Sequence, residues 1–146
     1  MAINATAVWR VRTGGASTNG AGYDSAISGA GTDYSQQDSA QLTLTDCATS
    51  GAGSATLTSV TGGFTSAMIG NAIRIASGTN FQAGYYFITG RTDTNTVTLD
   101  RTPSSGGAGS SGAGKVGGAQ RQLSDSLYNN VVAGNTVCIR ASAGNA

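Results

Sequence analysis

Within residues 64–100 the chain runs Phe64-Thr-Ser-Ala-Met-Ile69-Gly-Asn-Ala-Ile73-Arg-Ile75, then Tyr85-Tyr-Phe-Ile-Thr-Gly-Arg91, then Thr96-Val-Thr-Leu-Asp100. β-branched and aromatic residues fill these runs, and such side chains suit a pleated, half-buried surface. Thr92-Asp-Thr-Asn95 joins the last two through turn-forming residues, which predicts an antiparallel hairpin over about 85–100. Upstream, Ala40-Gln-Leu42-Thr-Leu44-Thr-Asp-Cys47 and Ala55-Thr-Leu57-Thr-Ser-Val60 are separated by a Ser/Gly turn. Their period of two puts Leu42 and Leu44 on one face and Thr43 and Thr45 on the other. The expectation is a mainly β chain with a small single β-domain over 41–102, built as a β-sandwich or as the lead-in to a β-helix.

Working outward, Ala5-Thr-Ala-Val8-Trp9-Arg10-Val11-Arg12 alternates as a short strand and dissolves into the Gly-rich loop 13–22. Residues 23–40 are polar, with isolated Tyr and Ile anchors, and read as an extended arm, so 1–40 forms an N-terminal strand and arm. After Pro103, the run 103–118 has the composition of a flexible Gly/Ser-rich loop. Then the period changes. Leu123, Leu127 and Val131 recur every four residues, Asp125 sits in the first turn, and Ala133-Gly134-Asn135 closes the pattern before Thr136-Val-Cys-Ile-Arg140. This predicts one short helix at about 121–132 and, across 119–146, a helix and closing strand packed on the β-domain.

Gly, Ala, Ser and Thr make up 81 of the 146 residues, and Leu, Ile, Val and Phe only 24. A core that thin is marginal alone, and oligomerisation is the usual remedy where disulfides and metals are lacking. Seven Arg and one Lys balance seven Asp to a net charge of +1, which leaves little counterion-release driving force for nucleic acid. No stretch reaches the ~20 apolar residues of a membrane span. Met1-Ala-Ile-Asn-Ala-Thr carries no secretory signal, so the expectation is a chain made in the cytoplasm, with no nucleic-acid or membrane partner. Cys47 and Cys138 each lie in a strand pattern and read as free thiols rather than a bridge.

With neither His nor Glu, the Ser-His-Asp and Cys-His constellations are impossible and zinc loses its usual nitrogen ligands. Asp33 with Asp38, or Asp93 with Asp100, could supply a carboxylate pair, but neither has aromatic sugar platforms nearby. Asp93-Thr-Asn95 resembles a fragment of a calcium loop without its remaining ligands. Gly109-Ser-Ser-Gly-Ala-Gly114-Lys115-Val116 nearly matches the phosphate-cradling G-x-x-x-x-G-K-[ST] pattern, yet Val116 replaces the hydroxyl and Gly117-Gly118 follows where a helix should start. No catalytic, cofactor or metal residue is expected, and the chain reads as no enzyme.

Trp9, flanked by Arg10 and Arg12, fits either an interface anchor or the core plug of a small-residue domain. Tyr85 and Tyr86 point to opposite faces of one strand, so at most one is expected in the core. Tyr23 and Tyr34 sit in polar context and suit docking on a partner. The expected partner-interface residues are Trp9, Arg10, Arg12, Tyr23 and Tyr34.

The opening residues 1–12, with Gly22-Tyr-Asp24, Ile27-Ser-Gly29 and Thr32-Asp-Tyr-Ser-Gln-Gln37, resemble the N-terminal region of tailed-phage virion proteins that often continue into a right-handed parallel β-helix. Met68–Ile75, Gly84–Gly90 and Asn95–Asp100 are similar to the strand units before such helices, and Leu123–Arg140 is similar to their capping helix and first strand. The chain carries no β-helix coils after this segment, so the resemblance implies the virion-attachment part alone. It implies a structural virion protein on the capsid surface, a decoration or cement protein that contacts the major capsid protein and itself, as a homotrimer at threefold positions. The alternative it implies is a tail or tail-fibre adaptor, or a truncated adhesin-like attachment protein.

Overall fold

The hairpin expected at 85–100 forms from β5 (Gly84–Asp93) and β6 (Thr96–Leu99), and Asp93 Oδ1 accepts the Asn95 N–H at 2.8 Å to fix the turn. These elements belong to a computed structural model that describes residues 8–21, 38–123 and 130–140. β4 (Ala72–Thr79) extends the hairpin antiparallel, with Ile73 opposite Tyr86. On the other side β3 (Thr56–Thr58) pairs with β6, so the meander β4-β5-β6 and β3 lie in Greek-key order. β2 (Leu42–Thr49) pairs with β3, and β7 (Gly109–Val116) pairs with both β2 and β4. The ring closes as β2-β3-β6-β5-β4-β7. The mainly β, single-domain expectation holds, and its architecture is a closed six-stranded barrel rather than a sandwich or β-helix lead-in.

Closure removes sheet edges that a thin core could not otherwise protect. Register shifts between Leu44 and Cys47 on β2, and between Ile75 and Ser77 on β4, bend the sheet where it must turn. Leu44, Leu57, Ile73, Tyr86, Ile88 and Val97 fill the interior, and Phe64 and Met68 pack with them from the β3–β4 connection.

The Gly/Ser run expected as a flexible loop at 103–118 contains the strand that closes the barrel, which corrects that assignment. Its inward positions are Gly109, Gly112, Gly114 and Val116, all buried. A Cβ on Gly112 would stand 2.7 Å from both Cys47 Cβ and Phe81 Cε2; one on Gly109 would stand 2.8 Å from Phe81 Cε2. The Cys47 side chain of β2 and the Phe81 ring from the β4–β5 connection therefore occupy the space that β7 leaves empty, a match of shapes that a narrow barrel requires. Hydrophobic periodicity cannot detect such a strand, because its inward face carries almost no hydrophobes.

Outside the barrel, β1 (Val8–Arg12) pairs parallel with β8 (Thr136–Arg140). The pair lies over the outer face of β4 and β5, where Trp9 and Val11 form a second core with Ala72, Tyr85 and Phe87. Both faces of β5 are thus covered. Tyr85 (4% exposed) and Tyr86 (2% exposed) are both buried, against the expectation that only one would be. The closing strand at 136–140 is present, paired with β1 instead of the barrel. The expected helix at 121–132 centres on 124–129, outside the described residues, and its described flanks 121–123 and 130–132 are turn and irregular backbone. Most of the arm, 22–37, also lies outside them.

Candidate interaction surface

Trp9 is 1% exposed, its ring edge-on to Tyr85 at 5.4 Å between centroids and 71° between planes. Its Nε1–H donates to Asn135 Oδ1 at 3.0 Å, which ties β1 to the turn that leads into β8. Of the two readings the sequence left open, this is the core plug. Arg10 and Arg12 are buried too, and Arg12 Nε donates to the Asp38 carboxylate. Asn19 Nδ2 donates to the carbonyls of Asp38 and Ala119 at 2.7 and 2.8 Å, and Gln120 Nε2 donates to Asn19 O at 2.8 Å. All of Trp9, Arg10, Val11 and Arg12 are therefore inside the fold, and the first three expected anchors are corrected to buried residues of the chain's own packing, Trp9 against Tyr85 of β5 and Arg12 against Asp38. The physical reason is coverage on both faces, which a strand read in isolation does not reveal. Tyr23 and Tyr34 lie outside the described residues.

β1 is also satisfied at both edges. Beyond its pairing with β8, Arg12 N–H donates to Gln120 O at 2.9 Å and Gln120 N–H donates to Arg10 O at 2.8 Å. The open edge of this small sheet is β8, which among the described residues is hydrogen-bonded to β1 alone. Along it Val137 and Cys138 are half-buried, whereas Ile139 is 64% exposed. Parallel strands usually sit deep in larger sheets with both faces covered, and two-stranded sheets are marginal alone. An apolar parallel edge that no strand of the described residues covers is thus the feature of this surface that calls for a neighbour. Sequence reasoning passed over Ile139 because Thr136-Val-Cys-Ile-Arg140 has the pattern of any closing strand; Val137 finds packing and Ile139, two residues on, does not.

Of the two expected carboxylate pairs, Asp33 lies outside the described residues, and the other three carboxylates have structural partners. Asp38 is held by Arg12, Asp100 accepts from Arg101 Nη1 at 2.7 Å and from the Phe87 N–H at 2.8 Å, and Asp93 shapes its turn. Among the described residues no group of three His, Cys, Asp or Glu could hold a metal. Cys47 and Cys138 are free thiols, and burial, reinforced by the Asp46 charge, pushes Cys47 up to about 12. The stretch resembling a phosphate loop is strand β7, whose backbone serves two ladders, so no amide cradle forms there. Among the described residues no helix is long and apolar enough to cross a membrane.

No protein-family model matches the chain, and no curated protein or solved structure matches it either.

Proposed function

We propose that the chain is a structural component of a tailed-phage virion, a capsid decoration protein that joins neighbouring subunits by strand addition along β8. The observation that carries the reading is the parallel edge of β8, paired among the described residues with β1 alone, with Ile139 64% exposed. Main-chain hydrogen bonds along such an edge supply affinity, and alternate side chains supply specificity. A partner that binds the folded chain and not the unfolded one stabilises it by mass action, so the protein would strengthen a shell without chemistry. The resemblance of residues 1–37 to virion attachment segments supports the setting; the arm with Tyr23 and Tyr34 stays part of the proposed contact with the major capsid protein. Self-association as a trimer belongs to the same proposal.

A tail or tail-fibre adaptor is the second reading, favoured by one observation: a parallel β1–β8 pair admits a further parallel strand in the way β-helix coils stack. Quantitative mass spectrometry of purified virions against the major capsid protein separates them. A ratio near one to one, or a fixed simple fraction of it, supports decoration. A few copies per hundred capsid subunits moves the protein to the tail. Absence from virions overturns both.

A further inference from the structure

A second feature, unrelated to the β8 edge, sits where the loop after β1 meets the chain before β2 and the chain after β7. Asn19 and Gly20 form the one Asn-Gly step in the sequence, and Asn19 is 2% exposed. Its Nδ2 donates to Asp38 O at 2.7 Å and to Ala119 O at 2.8 Å, and its own carbonyl accepts from Gln120 Nε2 at 2.8 Å. Gln120 in turn holds β1, donating its N–H to Arg10 O and accepting from the Arg12 N–H. One side-chain amide thus clasps three segments together. Gly20 is fixed as firmly: a Cβ there would press on Lys115 O and stand 2.5 Å from Ala72 O. The packing therefore demands a two-donor amide followed by a residue with no side chain, and that dipeptide is the one most prone to close on itself as a cyclic imide.

In an open chain the Gly20 nitrogen gives up its proton and attacks Asn19 Cγ. The Cγ–Nδ2 bond breaks, ammonia leaves, and water opens the imide to Asp or isoAsp, so that amide and water become acid and ammonia. In the folded chain both nitrogens are engaged, Gly20 N–H by Gly117 O at 2.8 Å and Nδ2 by its two carbonyls. Either product opposes the fold. A carboxylate only accepts, so it would meet the Asp38 and Ala119 carbonyl oxygens with no proton to give, in a buried place where an unpaired charge is costly. An isoAsp adds a backbone carbon beside the same atoms that exclude a Cβ from Gly20.

We propose that Asn19 is a deamidation site gated by this clasp: the reaction proceeds while the clasp is open, and its product keeps the clasp open. Chains that stay open are thereby removed irreversibly, whereas closed ones persist. The full-length chain is incubated in mildly alkaline buffer with and without denaturing urea, and peptide mapping by mass spectrometry follows each asparagine. In urea Asn19 should convert ahead of every other asparagine. In native buffer it should convert at least about tenfold more slowly, because the rate tracks the population of the open form. Gln120→Ala, which removes the bond to Asn19 O, should speed conversion in native buffer and leave the urea rate unchanged. Deamidated chain, separated by its added negative charge and returned to native buffer, should melt below the parent. Equal rates with and without urea overturn the proposal. So do earlier conversion of another asparagine in urea, a native rate that Gln120→Ala leaves unchanged, and a deamidated chain that melts with the parent.

Discussion

Gly112 lies in register with Cys47 across β2 and β7, and the space a Cβ would need is filled by Cys47 Cβ and the Phe81 ring edge, each 2.7 Å from it. The closing strand carries glycine here because the Phe81 ring and the Cys47 side chain leave no room for a Cβ. Gly112→Ala should therefore destabilise by about 1–3 kcal/mol, the range for overpacking a tight interior. Gly51, in a turn with nothing within 4 Å of the added carbon, is the control. Gly51→Ala should be neutral or gain about 0.4–1 kcal/mol through the unfolded chain. Urea unfolding of the two variants checks the contrast.

The same relationship explains what could be read in advance. The β5–β6 hairpin and the strands around Leu42–Cys47 and Thr56–Thr58 declared themselves because alternation and turn chemistry are local. β7 did not: its inward signal resides in Cys47, Phe81, Ile73 and Ile75, distant in sequence, and nothing in Gly109–Val116 itself records them. The burial of Trp9, Arg10 and Arg12 was hidden for a related reason. Whether a strand has one covered face or two depends on the element laid over it, here Asn135, Gln120 and the outer face of β5. Ile139 was passed over because its 64% exposure is likewise a property of the fold.

Trp9 should behave as the fastener of β1 to the barrel. Trp9→Ala removes the edge-on contact with Tyr85 and the hydrogen bond to Asn135 and should cost about 3–5 kcal/mol. Trp9→Phe keeps an aromatic ring and loses only the Nε1–H donor; Asn135 Oδ1 still accepts the Val132 N–H at 3.2 Å, so the cost should be about 1 kcal/mol. Because Trp9 is the sole tryptophan, its emission in the parent should be blue-shifted and resist quenching by acrylamide until unfolding.

The two thiols should differ sharply. Cys47 is 0% exposed with its pKa pushed up to about 12 by burial, whereas Cys138 is half-buried. At pH 8 a maleimide should modify Cys138 first and reach Cys47 only through unfolding, which mass spectrometry of time points resolves. The stability sign follows from the raised folded pKa. The buried neutral thiol contributes fully below the ordinary value of 9.0, and its contribution is lost as pH rises from there towards about 12. Cys47→Ala should flatten that part of the alkaline limb.

Acid acts on a different group. Asp46 is held below the usual carboxylate range, chiefly by the Ser59 hydroxyl and then by the Thr61 N–H at 2.9 Å. A depressed folded pKa contributes stability above the unfolded value near 3.8, and that contribution disappears as pH falls through the lower folded value. Asp46→Asn should melt lower than the parent at pH 7, and the gap should narrow below about pH 4. A gap of constant width across that range would show that the carboxylate's charge is not what the Ser59 and Thr61 bonds recognise.

Ile139 tests the proposed docking edge directly. At 64% exposure it contributes little to the chain's own packing, and surface substitutions away from special features usually shift stability by less than about 0.5 kcal/mol. Ile139→Lys should therefore leave the melting temperature of the isolated chain nearly unchanged. A lysine on an open edge is also a common natural device against strand addition. If β8 receives a neighbouring strand, the variant's copy number in purified virions should fall well below that of the parent at equal expression. The joint outcome decides the matter: an unchanged melt with reduced incorporation places the contact on β8. An unchanged melt with full incorporation removes β8 from the proposal and leaves the segment with Tyr23 and Tyr34 as its remaining contact.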